Sequence, residues 1–297
     1  MAWACVADLI GVMAALGAAL CWTLASALWR SLPTSLGPAQ LNLVKNLVAL
    51  AFQLPVLVLL HQGMALTPPV LLLGLSGVVG IALGDSLYFA ALRRLGTRRT
   101  LTVDAGGPAV TAAAGAVLLA EVPSAHQWLG ITLISLAVLL VARRKPLASG
   151  DAMADQQGVG LLLALGALLC GGAGALLSRA ALRETLLTPL QSATIRLAAA
   201  ALVLLPLWRR LPRPGGGPRP SQLRWPLVLA ATLLGTSAGI VLQQLALERL
   251  KGGMAVALLA TAPVMALPLA RREGDQPGPL GLLAAFLALA GVMLVAL

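Results

Sequence analysis

Charge is what this chain has least of. Asp, Glu, Lys and Arg make up 10% of its 297 residues, against 59% hydrophobic ones, and mean hydropathy is +0.92. That is too little charge to clothe a water-soluble surface around one core, so the medium is a bilayer. Cysteine is also scarce. Cys5, Cys21 and Cys170 fall at or inside apolar stretches, with no pairable set outside them and no metal-ligand spacing, and they read as small apolar fillers. The two histidines, His61 and His126, lie at stretch ends, which argues against a buried zinc or haem centre. No GxSxG, HExxH or Walker loop occurs, so intramembrane hydrolysis lacks its nucleophile, base or metal, and a nucleotide-driven pump lacks its nucleotide site. No cofactor is expected. A basic region followed by a short apolar core and a small-residue cleavage site is missing before the first apolar stretch, which reads as a retained helix.

What the chain does have is ten apolar stretches between polar breaks, at 9–29, 38–60, 69–92, 99–120, 125–142, 158–180, 188–208, 226–247, 253–270 and 278–297. A helix of about 20 residues rises about 30 Å, the thickness of the hydrocarbon core. Strands of a membrane barrel would alternate apolar and polar residues, and runs such as LLLGLSGVVGIALG do not, so the stretches are helices.

The second half repeats the first. LGAALCWTLASALWR, Leu16–Arg30, aligns with LGALLCGGAGALLSR, Leu165–Arg179, at an offset of 149, matching Cys21 to Cys170 and Arg30 to Arg179. Pro38 and Lys45 answer Pro189 and Arg196; Gly84, Ala91, Leu92, Leu95 and Pro108 answer Gly239, Ala246, Leu247, Leu250 and Pro263; Leu129-Gly130 answers Leu280-Gly281. The expected organisation is a five-helix repeat over 1–145, a Gly/Ser/Asp/Gln linker over 146–157 and a second repeat over 158–297. Two similar hydrophobic halves are the mark of a carrier that binds cargo between them and rocks one against the other.

The net charge of +11 does not point to nucleic acid, because of where the charge sits. Fifteen of the 21 basic residues fall on odd-numbered connections: Arg30; Arg93, Arg94, Arg98 and Arg99; Arg143, Arg144 and Lys145; Arg209, Arg210, Arg213, Arg219 and Arg224; Arg271 and Arg272. Arg179, Arg183, Arg249 and Lys251 fall on even-numbered ones. The positive-inside rule puts the odd connections in the cytoplasm and both termini outside, and an odd number of spans per half inverts one half relative to the other. The Pro/Gly-rich basic stretch 209–225 reads as a cytoplasmic tether with affinity for anionic lipid.

Charges inside spans carry the chemistry, since each costs from about 2.5 to more than 10 kcal/mol at the bilayer centre unless paired or hydrated. Lys45 shares a helix face with Asn42, and Asn46 extends that stripe; Asp85 precedes Tyr88 by three residues; Asp104 precedes Pro108 by four, so Pro108 deprives the Asp104 carbonyl of its helical donor; Arg196 answers Lys45 across the repeat. Two readings fit. In one, Asp85 and Asp104 exchange protons while Lys45 and Arg196 hold an anionic group of the cargo. In the other, a structural Lys45–Asp85 or Lys45–Asp104 ion pair accounts for the charges. Gln243 and Gln244 stand where the first half has Tyr88 and Phe89, an asymmetry suited to a cargo with unlike ends. Trp22 either stacks on a flat cargo or packs, and the run Gly171-Gly172-Ala173-Gly174 opposite it in the repeat either admits close helix approach or leaves room for cargo. Pro108 and Pro263, at matching positions, are expected to kink their helices, and either serve as hinges or sit in static spans.

Ten spans as five plus five, Lys45 and Arg196 partway along the second helix of each half, the segment Gly84-Asp85-Ser86-Leu87-Tyr88-Phe89-Ala90-Ala91-Leu92, and Pro108 followed by Glu121 together resemble the EamA-type branch of the drug/metabolite transporter superfamily. The resemblance covers nearly the whole chain. It departs in the second half, where Glu273 follows Pro263 by ten residues while Glu121 follows Pro108 by thirteen, so the ninth helix is expected to be short or broken near Pro263 and Pro268. The resemblance implies a carrier of small metabolites in a bacterial inner membrane, more often an exporter, with an amino acid or other zwitterion as cargo; its energy comes from an ion gradient, with protons the candidate ion through Asp85 and Asp104, or from the cargo's own gradient. The competing classes are a non-transporting membrane scaffold and an intramembrane enzyme. The expectation is an all-α integral membrane protein of ten transmembrane helices in two inverted five-helix repeats.

Overall fold

The computed structural model describes residues 2–30, 36–60, 67–142, 155–210, 224–268 and 278–297. His61, the linker up to residue 154, residues 211–223 of the basic stretch, and Arg271, Arg272 and Glu273 lie outside the described residues, as do the side chains of Cys5 and Arg30. Every regular element among the described residues is a helix. Among the described residues eight helices are long and apolar enough to cross a membrane, and two shorter apolar ones, Gly107–Leu118 and Gly252–Met265, stand where the fourth and ninth spans are expected.

The order is α1 (Ala2–Arg30), α2 (Pro38–Leu59), α3 (Pro68–Ser76), a π-helical segment Gly77–Asp85, α4 (Ser86–Asp104), α5 (Gly107–Leu118), α6 (Ala125–Ala142), α7 (Asp155–Arg183), α8 (Pro189–Leu204), a short 3₁₀ segment Leu205–Arg210, α9 (Arg224–Thr232), a second π-helical segment Leu233–Ala238, α10 (Gly239–Arg249), α11 (Gly252–Leu259), α12 (Ala262–Met265) and α13 (Gly278–Ala296). Prolines open α2, α3 and α8, where the missing N–H is unpaired in any helix. The repeat shows in the caps. The Gln40 side chain accepts from the Gly37 N–H at 2.8 Å, and Gln191 accepts from Thr188 N–H at 2.8 Å, three residues before each glutamine.

Close neighbours trace the chain direction. On α7, Gly160 faces Leu95, Gly166 faces Leu87 and Gly174 faces Gly80, so Gly80–Leu95 runs antiparallel to α7. Gly107 faces Leu168, Thr111 faces Gly172 and Gly115 faces Leu176, so α5 runs parallel to it. The chain therefore reverses between Leu95 and Gly106, even though helical hydrogen bonding continues to Asp104. Basic residues do not stop a helix, because arginine is a good helix former. Polarity thus marks a membrane boundary without marking a helix end.

The same packing recurs in the other half. Gly11 faces Leu250 and Gly17 faces Leu242 on α1, as Gly160 faces Leu95 and Gly166 faces Leu87 on α7. Adjacent helices come mostly from opposite halves: α1 packs on α10, α7 on α4, α2 on α8, α5 on α11 and α6 on α13. The α6–α13 crossing is drawn tight by Gly130 and Gly291, each against the other's carbonyl. Leu43, Leu50, Ile81, Leu197 and Ile240 fill one core region, and Ile131, Ile134, Leu247, Leu258 and Val295 another.

Pro108 and Pro263 differ from expectation. Neither bends a helix from within; each sits in the first turn of a new helix, α5 and α12, where proline costs no hydrogen bond. The interruptions lie just before them, at Ala105–Gly106 and Ala260–Thr261. The ninth span is broken, as its spacing suggested. At the far end of α5 the chain turns through Ala120 with φ 55, a left-handed conformation in which Cβ crowds the backbone. Ala120→Gly removes that crowding at the cost of a more flexible unfolded chain, for a net gain of about 0.5 kcal/mol. The thermal midpoint in detergent should rise slightly, and a fall would show the turn to be unstrained.

Candidate functional site

Two irregular helices, the third and eighth spans, meet the α2–α8 seam, and two more lie beside them in the bundle. The third and eighth spans each contain a π-helical segment at matching repeat positions, and the fourth and ninth are each interrupted before the matching proline. π-Helical turns concentrate at functional sites, and broken helices in both halves of a carrier point to its binding site. Glycine makes the first π segment possible. A Cβ on Gly77 would collide with the backbone of Arg196, and one on Gly80 would lie 3.3 Å from Gly174 Cα.

Asp85 closes that segment and takes Lys45 as its partner, Nζ to Oδ2 at 2.5 Å, with side-chain exposures of 12% for Lys45 and 35% for Asp85. The same ammonium lies 5.3 Å from the Phe89 ring centroid, a cation–π contact. Phe89 in turn meets Tyr88 edge-on at 6.2 Å. Asn42 donates to the Ile81 carbonyl within the π segment at 2.7 Å and to the Ser86 hydroxyl at 3.1 Å. Lys45 is thereby neutralised within its own half.

Arg196 is not. It is 3% exposed, donates through Nη1 to Gln243 Oε1 at 3.1 Å, makes no ion pair with a described carboxylate, and leaves Nε without a partner. Asp104 ends α4 at the helix break and makes no hydrogen bond or ion pair with any described residue. A buried cation with one hydrogen bond and a free carboxylate are each costly unless something else binds them.

The remaining candidates separate by partner. Gln244 is fully buried and accepts from Ser192 Oγ at 2.7 Å, leaving its Nε2 unpaired. Trp22 donates to the Gly235 carbonyl in the second π segment at 2.9 Å and lies against Gly239, so it packs α1 on the eighth span. In the glycine run, Gly174 meets Gly80 and Gly172 meets Thr111, while Gly171 has open space at its Cβ. Cys21 and Cys170 are free thiols, and exposed His126 pairs with Ser124. Among the described residues no group of His, Cys, Asp or Glu could hold a metal ion.

Two features went unpicked in the sequence. Asn46, named there only as an extension of a stripe, is fully buried with both amide atoms unpartnered. Glu121 and Arg179 form an ion pair at 2.7 Å, and their signal was their recurrence as Glu273 and Arg30. Most buried side-chain atoms without partners lie on α2, α8 and the eighth span: Asn42, Asn46, Gln53, Arg196, Thr232, Ser237 and Gln244. Unpaired buried groups are rare in folded proteins, and gathered along one seam they describe a polar site.

A family described as the EamA-like transporter family matches the chain twice, over residues 9–143 and 158–297. No curated protein matches it significantly. A solved crystal structure, described only as that of a protein, aligns over 97% of this chain and 96% of its own with a TM-score of 0.76 and 20% identity, a likeness of fold.

Proposed function

The chain belongs to the EamA-like transporter family, and from that premise we propose that it is a secondary transporter moving a small metabolite by alternating access. Two inverted five-helix repeats, 1–145 and 158–297, joined by the linker 146–157, rock about the seam between them. The observation that carries this reading is Arg196, a buried cation facing the seam with Nε free and no carboxylate bonded to it. It binds the anionic group of the cargo. Lys45, held by Asp85, sets the field around that group. Gln243 orients Arg196, while Tyr88, Gln244 and Asn42 flank the path. Asp104, without a partner among the described residues, takes the cargo's cationic end or the coupling proton, which suits an amino acid or another zwitterion. Export through a bacterial inner membrane follows the family likeness, and both termini outside agrees with the charge distribution.

Growth protection against a panel of toxic metabolite analogues in overproducing cells identifies the cargo. Counterflow of that labelled cargo into liposomes holding the purified protein then tests the carrier. Product formed without translocation would make it an enzyme, and neither activity would leave a scaffold. Proton coupling has its own test. Asp104→Asn should abolish the stimulation of uphill transport by a pH gradient while leaving counterflow within about threefold, less than 1 kcal/mol. Asp85→Asn should weaken both, because it strands Lys45 without its partner. Undiminished gradient stimulation in both variants ends the proton hypothesis.

A further inference from the structure

Away from the α2–α8 seam, a second polar cluster joins the halves at one end of the bundle. Glu121 follows α5 directly after the left-handed Ala120, and its side chain is 8% exposed. One carboxylate oxygen accepts from Arg179 Nε at 2.7 Å, with Arg183 Nη1 at 3.8 Å; the other accepts from the Gly252 N–H at 2.8 Å. Gly252 opens α11, whose first N–H groups have no helical acceptor. Arg179 also donates through Nη1 to the carbonyls of Leu247 at 2.9 Å and Glu248 at 2.7 Å, in the last turn of α10, where carbonyls lack donors. Lys251 Nζ donates to the Val122 carbonyl at 2.8 Å, and Arg183 to that of Leu119 at 3.1 Å.

We propose that this Glu121–Arg179 node is a releasable latch that closes one end of the carrier. It rests on the alternating-access reading given above. Two independent observations support a latch over a fixed joint. First, the elements it clasps, α5 and α11, are the short limbs of the broken fourth and ninth spans, each adjoining an interruption at Ala105–Gly106 or Ala260–Thr261. A short helix beyond a break can swing as a rigid limb about a few residues. Second, the node is built of charge-assisted hydrogen bonds to helix ends, all of which water can replace when the end opens. The α6–α13 crossing, packed through Gly130, Gly291, Ile134 and Val295, has no such polar exchange and stays closed. Beneath the node Gly253 lies against the Ala112 backbone and Gly252 against Leu176, so the limbs close flush when it forms.

Spin labels at exposed Val122 and Leu186, one on each half, report the opening in a background lacking Cys5, Cys21 and Cys170. The full-length protein is measured in liposomes without cargo by pulsed electron double resonance. The parent should give one short distance. Glu121→Gln and Arg179→Gln should each add a longer population, and Glu121→Asp, which keeps the charge but not the reach, a smaller one. Distances identical to the parent in both glutamine variants would overturn the proposal. So would failure of all three variants to fold, which would make the node a structural pillar. Cargo counterflow run on the same samples separates the two claims. Normal counterflow with unchanged distances removes the latch alone, whereas a longer population in the variants with no counterflow in the parent keeps the opening and removes the carrier reading.

Discussion

Arg196→Met should lower counterflow by about a hundredfold or more while leaving the folded protein as stable as before, or more so. The two halves of that expectation come from one fact: Arg196 is buried, and its charge has no bonded carboxylate. Removing a charge that meets an opposite charge in a dry site costs about 2–5 kcal/mol of binding, and each 1.4 kcal/mol is tenfold. Removing a buried cation with one hydrogen bond, and replacing it with an apolar side chain of similar length, is often neutral or stabilising. A purely structural Arg196 would behave the other way, losing stability and transport together. Arg196→Lys refines the test. Lysine keeps the charge but offers a point donor where the guanidinium offers a fork, so it cannot hold Gln243 and present a second N–H toward the seam. Its counterflow should fall between parent and methionine, chiefly through a raised KM. Counterflow of Arg196→Met within twofold of the parent would show that the cargo is not held there.

The sequence made the all-helical membrane character and the duplication readable because both are written in apolar runs and in offsets between like residues. Leu95 and Leu250, matched by alignment, do occupy the same place against Gly160 and Gly11. Broken spans were half readable. Pro108 and Pro263 marked the right segments, yet proline opens a helix as readily as it kinks one, and the interruptions fell a turn earlier. The π-helical segments were not readable, since Gly77–Asp85 has the composition of any small-residue membrane helix and its extra residue per turn arises from packing on α7 and α8. Pairings between charges were open for the same reason. Lys45 had Asp85 and Asp104 as possible partners, and only the fold brings Asp85 to its ammonium while leaving Asp104 at a helix break. Glu121 and Arg179 lay 58 residues apart, each near the C-terminal end of a different helix, and no local pattern joins them.

Gly77→Ala should be the most damaging single-methyl change in the chain, and Gly171→Ala, in the facing helix, should be harmless. A Cβ on Gly77 would overlap the Arg196 carbonyl oxygen and stand 2.6 Å from Arg196 Cα. These are backbone atoms of α8, so no rotamer change relieves the clash; α3 and α8 must separate, and overpacking of this kind costs about 1–3 kcal/mol or more. Around Gly171 nothing lies within 4 Å of the added carbon, and alanine gains up to about 1 kcal/mol over glycine inside a helix. Thermal midpoints in detergent should therefore move in opposite directions, down for Gly77→Ala and level or up for Gly171→Ala. Function follows the first, because Arg196 sits on α8 at the contact that must open. A Gly77→Ala protein with the parent's midpoint would mean that α8 does not sit on the π segment, and the polar seam built on that contact would go with it.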